Sequence, residues 1–331
     1  MNILITGGSG FLGQHLALAL LEQGHRVRLL GRDMASARAL IAAGAQPIVA
    51  DLRDRAAVIA ACAGVDAAYH VGALSAPWGR RADFFAINVD GTAAVLAGCR
   101  RHAIQRVIYV SSPSVVFNWR DHRDLTEAAP YPRRFASVYS LTKMLGEDLV
   151  NAADWCESVI VRPKAIFGPG DRSLLPRMIA AARQGRLPQI GAGRNLVDLT
   201  YVENVADALV LALDAKAATG KTYMITNDEH IVLWDVIRSV LRRLGIPANM
   251  RRVPLAAALA AAGLMECRAA LTGREPMLTR YSAAILGRTQ TYDISAARRD
   301  LGYAPRISVA AGIERTLAAV SVDERASIRG R

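Results

Sequence analysis

Apolar and polar positions follow two alternating periods along the first half of the chain. Short apolar runs at Met1–Thr6, Arg26–Leu30, Pro47–Ala50, Ala67–Val71, Arg106–Ser111 and Ser158–Arg162 read as buried strands. Helical patterns lie between them, near residues 11–22, 33–43, 54–62, 84–102 and 138–153. Strands alternating with helices predict an α/β fold: a Rossmann-type, doubly wound parallel sheet. Its first strand belongs at the centre, and ligand belongs over the carboxyl ends of the strands.

The pattern changes after Pro163. Gly168, Pro169, Gly170, Gly185, Pro188, Gly191 and Gly193 punctuate a loop-rich region. A strand near Leu196–Val202 and a helix over Glu203–Ala215 are expected to rejoin the sheet domain. The remainder reads as a smaller, mostly helical substrate domain. The expected division is residues 1–165 plus about 196–226 for the dinucleotide, and about 166–195 plus 227–331 for substrate. Leu255–Leu264 is almost wholly apolar and too short to span a bilayer, so a buried helix is expected there. The other reading is an interfacial segment flanked by Arg251, Arg252 and Arg268.

Composition narrows the class. The chain has 331 residues, 52% of them hydrophobic, which is ample for a sizeable core. Its four cysteines, Cys62, Cys99, Cys156 and Cys267, are far apart and form no CxxC pair. A disulfide framework or a zinc site is therefore not expected, and a cytoplasmic home is. The net charge of +12 rests almost wholly on arginine, since only four of the 41 basic residues are lysine. Residues 238–331 hold 16 arginines against 7 acidic side chains. No aromatic–basic interleaving accompanies this charge, so nucleic acid is not the expected partner. An acidic apolar substrate, an acyl carrier or contact with a membrane surface suits it better, and a homodimer is possible.

Residues 5–13, Ile-Thr-Gly-Gly-Ser-Gly-Phe-Leu-Gly, join the first strand to the first helix. The glycines fit two registers, Gly8-x-Gly10-x-x-Gly13 and Gly7-x-x-Gly10-x-x-Gly13. Gly7 and Gly10 let the backbone turn tightly against a pyrophosphate, and Gly13 lets the helix pack on the strand. The helix N-terminus offers free N–H groups to phosphate, which brings in Phe11 and Leu12. The second strand ends in Gly31-Arg32-Asp33. An NAD site usually has an acid there; Gly31 leaves room, and Arg32 suits a 2′-phosphate. NADP(H) is therefore favoured, with Asp33 keeping NAD(H) in play.

Tyr139 and Lys143 stand four residues apart on a predicted helix, so phenol and ammonium share a face. A nearby cation is expected to lower the tyrosine pKa toward a value useful for proton transfer. Ser111, Ser112 and Ser114 follow the fifth apolar run, at the carboxyl end of a strand. A serine hydroxyl there can hold a carbonyl oxygen beside the tyrosine. The histidines are scattered without ligand spacing, and no metal site is expected; His70 is read as structural.

Together these motifs resemble the extended short-chain dehydrogenase/reductases. Asp51-Leu52, His70-Val-Gly-Ala73, Asn88-Val-Asp-Gly-Thr92, Arg162-Pro163, Phe167-Gly-Pro-Gly170, Asp198-Leu-Thr-Tyr-Val-Glu-Asn204 and Asp300-Leu-Gly-Tyr-Ala-Pro305 match further family segments in order. Ser-Ser-Pro-Ser-Val-Val-Phe and Pro-Trp-Gly are most similar to the 3β-hydroxysteroid dehydrogenase-like branch, which includes steroid dehydrogenases and bacterial 2-alkyl-3-oxoalkanoate reductases. Phe117 and Phe167 stand where many sugar-nucleotide enzymes of the superfamily carry tyrosine.

The resemblance implies an NAD(P)-dependent oxidoreductase that interconverts a secondary alcohol and a ketone. It implies catalytic roles for Tyr139, Lys143 and Ser112. It adds Asp51, Leu52 and Pro163 to the cofactor contacts, with Trp78, Ser114 and Phe167 as substrate contacts. A nucleotide-sugar epimerase or dehydratase is the alternative, and a non-catalytic nucleotide sensor a second. Residues 113–118 carry no acid, and residues 255–271 are largely apolar, which suits a greasy substrate better than a sugar. The Ser-Tyr-Lys set argues against a sensor.

Overall fold

The structure, a computed structural model, describes residues 1–171 and 174–329. Five strands open the fold: β1 (Asn2–Thr6), β2 (Arg26–Gly31), β3 (Gln46–Val49), β4 (Ala67–His70) and β5 (Arg106–Val110). Strands Glu157–Pro163 and Lys221–Ile225 complete one sheet. Its order, starting from Lys221–Ile225, is Glu157–Pro163, β5, β4, β1, β2, β3, and every pairing is parallel. β1 is central as expected. The chain reverses direction across the sheet between β1 and β4, and this opens a crevice at their carboxyl ends.

β1, β4 and β5 are wholly or almost wholly buried, because helices cover both sheet faces. One face packs the first helix, Phe11–Glu22, against Val202–Asp214. The other packs Arg55–Ala61 and Gly91–Arg101. The helix expected at 84–102 is interrupted: one wide turn, Ala86–Asp90, separates Arg81–Phe85 from Gly91–Arg101. Such turns often sit at functional sites. Here Asn88 uses it to reach out of the helix.

Three departures from the sequence pattern stand out. The strand expected at 196–202 is split: Leu196–Val197 joins a four-stranded sheet with His122–Leu125, Ile231–Val232 and Gln290–Tyr292, while Thr200–Tyr201 pairs with Ile166–Phe167. Buried Asp198 sits at the break and accepts a hydrogen bond from the Tyr292 amide at 2.7 Å. The seventh strand of the main sheet, Lys221–Ile225, was not legible as a separate run.

The apolar segment after Pro254 is the third. It forms a longer helix, Leu255–Thr272, and it is not a buried one. Ala258, Ala262 and Ala269 turn inward, whereas Leu264 is 74% and Leu271 89% exposed. Its inner face rests on helix Arg280–Gly287, and among the described residues Leu264 and Leu271 on the outer face stay uncovered.

Candidate active site

The glycine turn builds the floor of the crevice. Gly7 has φ +68°, and a Cβ there would lie 2.6 Å from the Gly72 Cα in the loop after β4. A Cβ on Gly13 would strike the Gly7 carbonyl. The first helix starts at Gly10 with no side-chain cap and no acid in its first turn. Its terminal N–H groups are therefore left for an anion. These features fit a dinucleotide pyrophosphate.

A cleft of about 710 Å³ opens over this turn. Gly7, Gly10, Phe11, Leu12, Gly13, Ser112, Tyr139 and Pro163 all line it, as do Ser9, Ser36 and Ser111. A smaller cavity of about 190 Å³ continues from Gly7 and Gly10 toward Gly31, Arg32, Asp51 and Leu52. The Asp51 carboxylate is already engaged. Arg53 donates to it from Nε at 2.9 Å and Nη2 at 2.8 Å, and this pair holds its pKa down to about 2. Asp33 is also in use, accepting from the Ala35 amide at 2.8 Å within its own turn.

Tyr139 sits in the first turn of helix Val138–Asn151, whose N-cap Ser137 accepts from the Ser140 amide at 3.1 Å. Two staples fix this helix to the sheet. Buried Glu147 takes Arg162 Nε at 2.8 Å and Nη2 at 2.6 Å, and a hydrogen bond from the Tyr131 hydroxyl at 2.5 Å. Asn88 spans the other side. Its amide nitrogen donates to Thr142 Oγ1 at 3.0 Å and to the Leu74 carbonyl at 3.1 Å, while its oxygen accepts from the Leu74 amide at 2.7 Å.

Lys143 lies one turn beyond Tyr139, under the cleft and not on its lining. It is 2% exposed, with Nζ 3.9 Å from the centroid of the Tyr109 ring. Gly146 makes room for that ring, since a Cβ there would overlap the Tyr109 hydroxyl. The expected effect of the lysine on the tyrosine is not what this site shows. Burial pushes the Tyr139 phenol up to about 12, with Ser112 pulling weakly the other way. Burial likewise pushes the Lys143 ammonium down to about 7, against the attraction of Glu147. Desolvation penalises both charged forms and is the largest cause of each shift.

Ser112 caps the turn Pro113–Val116 and accepts from the Ser114 amide at 3.2 Å. Ser114 is buried just behind it. Phe167 and Trp78 are not brought to the cleft. Phe167 packs edge-on against Tyr201, 5.6 Å between centroids, in a cluster with Val197, Leu199 and Val309. Trp78 stays in the segment after β4, off the cleft lining. His70 is silent: Thr6 and Thr92 hold its two ring nitrogens at 2.7 and 2.9 Å, and burial lowers its pKa to about 3. Sequence reasoning missed Tyr281, which reaches the Tyr139 region from helix Arg280–Gly287. No motif surrounds Tyr281, so nothing in the sequence marks it.

A doubly wound sheet, a glycine turn at its switch point and a Ser-Tyr-Lys set at the end of β5 define an extended short-chain dehydrogenase/reductase. The chain belongs to the 3-beta hydroxysteroid dehydrogenase/isomerase family, whose model matches residues 4–255. It is an oxidoreductase acting on CH–OH groups. It is 38% identical over 330 residues to a 2-alkyl-3-oxoalkanoate reductase of Stenotrophomonas maltophilia, covering 95% of this chain and 98% of the relative. It is 32% identical to the decarboxylating sterol-4-alpha-carboxylate 3-dehydrogenase of Mus musculus, covering 95% and 89%. The crystal structure of gox2253 superposes with a TM-score of 0.81 at 27% identity, covering 98% of each chain. The UDP-glucuronic acid 4-epimerase of Bacillus cereus in complex with NAD shares the fold, with a TM-score of 0.77 at 22% identity over 97% and 99% of the chains.

The Lys143 shift carries a stability consequence. The folded protein releases this proton near pH 7, whereas an unfolded lysine holds it to about 10.5. Between those values the unfolded chain binds the extra proton, so stability rises with pH. Urea unfolding of wild type and Lys143→Met from pH 6 to 10 should show the wild type gaining on the variant as pH rises. A constant difference would mean that Lys143 stays charged when folded.

Proposed function

We propose that the enzyme reduces a 3-oxo group on an apolar acid, or oxidises the matching 3-hydroxy acid, with NADP(H). The observation that carries the reading is that Ser112 and Tyr139 both line the cleft above the glycine turn. The bound nicotinamide supplies or accepts the hydride at the substrate carbon. Ser112 holds the substrate oxygen. Tyr139, whose proton is firmly held at neutral pH, gives that proton to the oxygen as the hydroxyl forms. The resulting phenolate favours the ammonium form of Lys143 one turn away. Burial keeps water from competing for this proton.

The substrate class draws on the relatives. The names 2-alkyl-3-oxoalkanoate reductase and sterol-4-alpha-carboxylate 3-dehydrogenase both describe an acid whose carboxyl-bearing carbon adjoins the reacting one. The preference for NADP(H) rests on Arg32 and Gly31 at the adenosine end, and on Asp33 being occupied in its own turn.

The outer face of helix Leu255–Thr272 supports a reading of membrane-surface contact. Leu264, Leu271 and Met277 are 74%, 89% and 72% exposed. Arg251, Arg252, Arg268 and Arg274 are exposed nearby, and none has an ion-pair partner among the described residues. A second copy docked on this face would bring like charges together; an anionic lipid surface complements them.

Tyr139→Phe keeps the ring and removes only the proton donor. It should retain cofactor binding and lose about 100-fold or more in kcat on 3-oxo acids and esters. A loss below tenfold would remove Tyr139 from its role. Arg32→Ala should reduce the kcat/KM ratio of NADPH over NADH about tenfold or more, since a charged contact to the 2′-phosphate goes. An unchanged ratio would end that assignment. In sedimentation assays the wild type should follow phosphatidylglycerol vesicles and not neutral phosphatidylcholine vesicles. Leu264→Asp with Leu271→Asp should abolish this. Equal recovery with both vesicle types, or no effect of the double change, would rule out the lipid reading.

A further inference from the structure

Two hydroxyls near the reacting centre have no task in the mechanism above. Ser114 Oγ is buried and makes no well-formed hydrogen bond among the described residues, its one near neighbour being the Tyr281 phenol, while its own amide is tied to Ser112 Oγ at 3.2 Å. A buried hydroxyl without a partner is costly, and its natural explanation is a ligand that completes it. The second is the Tyr281 phenol. Its helix, Arg280–Gly287, starts at Thr279, whose hydroxyl accepts from the Ser282 amide at 3.0 Å. That cap fixes the first turn and delivers Tyr281 against Phe117, with ring centroids 5.7 Å apart. Phe117 in turn stacks on Trp119 at 5.6 Å. The Tyr281 phenol feels both the Ser114 hydroxyl and the Tyr139 phenol, and burial pushes its pKa up, so it remains a donor.

We propose that Ser114 and Tyr281 form a second oxygen-binding point that holds the carboxyl group of a 3-oxo or 3-hydroxy acid while Ser112 and Tyr139 hold the reacting oxygen. The proposal rests on the oxidoreductase reading and adds the residues that select its substrate. Ser112 and Ser114 are two positions apart on one tight turn, and in such an acid a single carbon separates the reacting carbon from the carboxyl carbon. The walls around the pair are apolar, with Val115, Val116 and Phe117 buried beside it. Two hydroxyl donors offer a carboxylate oxygen charge-assisted hydrogen bonds there, which offset part of its desolvation cost. Tyr281 comes from the C-terminal part of the chain, so that part reads the acid while the sheet domain carries out the chemistry.

The test compares oxidation of a 2-alkyl-3-hydroxy acid with that of the matched secondary alcohol lacking the carboxyl group, each with NADP⁺. Tyr281→Phe keeps the ring on Phe117, and Ser114→Ala removes only the hydroxyl. Each should lower kcat/KM for the hydroxy acid about tenfold, chiefly through KM, as expected for a lost hydrogen bond to a charged group. Turnover of the plain alcohol should stay within about twofold, which also serves as the control for folding. Equal losses on both compounds would overturn the proposal, because Tyr281 would then act on the reaction or the fold. No loss on either would also overturn it. Failure of the wild type to oxidise both compounds, with NADP⁺ still bound, would overturn the proposed 3-oxo/3-hydroxy acid reading and this proposal with it.

Discussion

The buried ion pair between Glu147 and Arg162 is the contact on which the site geometry depends. Glu147 is on the helix that carries Tyr139 and Lys143, and Arg162 is on the strand beside β5. Both are almost wholly buried, and the pair is bidentate. Two parallel hydrogen bonds constrain rotation as well as distance. A buried ion pair contributes little net stability, but breaking one leaves an uncompensated charge and is strongly unfavourable. The helix is therefore held in one register on the sheet. With Asn88 holding Thr142 on its other side, Tyr139 is kept over the end of β5 where Ser112 emerges.

Burial sets the electrostatics of that helix. It raises the Tyr139 phenol and lowers the Lys143 ammonium, so both groups tend to neutrality. A protonated phenol facing the cleft is chemically able to give up a proton there, as the proposed mechanism requires. The same physics keeps His70 neutral. Two threonines satisfy both ring nitrogens and burial suppresses its charge. The loops after β1 and β4 meet at Gly7 and Gly72, so the glycine turn packs directly against the segment that follows β4.

Much of this was legible in the sequence because it is local. Strand–helix alternation over the first 163 residues needs only hydrophobic period, and the five leading strands fall within a residue or two of the expected runs. The glycine turn is legible because backbone approach to phosphate demands glycine at fixed offsets. Tyr139 and Lys143 are legible because helical geometry makes four residues one face. Ser111, Ser112 and Ser114 are legible as a group from their place at a strand end, and only the family resemblance singles out Ser112. Phe167 misled because a motif match says where a residue falls in the chain and not which way its ring turns. The Leu255 segment misled because apolar composition alone does not distinguish a covered face from an open one.

The sequence by itself determined six of the seven strands of the sheet, its central strand, the glycine turn and the Tyr139–Lys143 spacing, each from a local pattern. Tertiary structure decided what depends on contacts between distant segments. It set the sign of the Tyr139 and Lys143 shifts, since burial is a property of the packed whole. It divided residues 196–201 between two small sheets around Asp198. It joined Arg162 to Glu147 and Asn88 to Thr142. It left one face of helix Leu255–Thr272 open. It also brought Tyr281 to Phe117 and Ser114, a meeting no local pattern records, because only the fold decides which side chains from the C-terminal part face the end of β5.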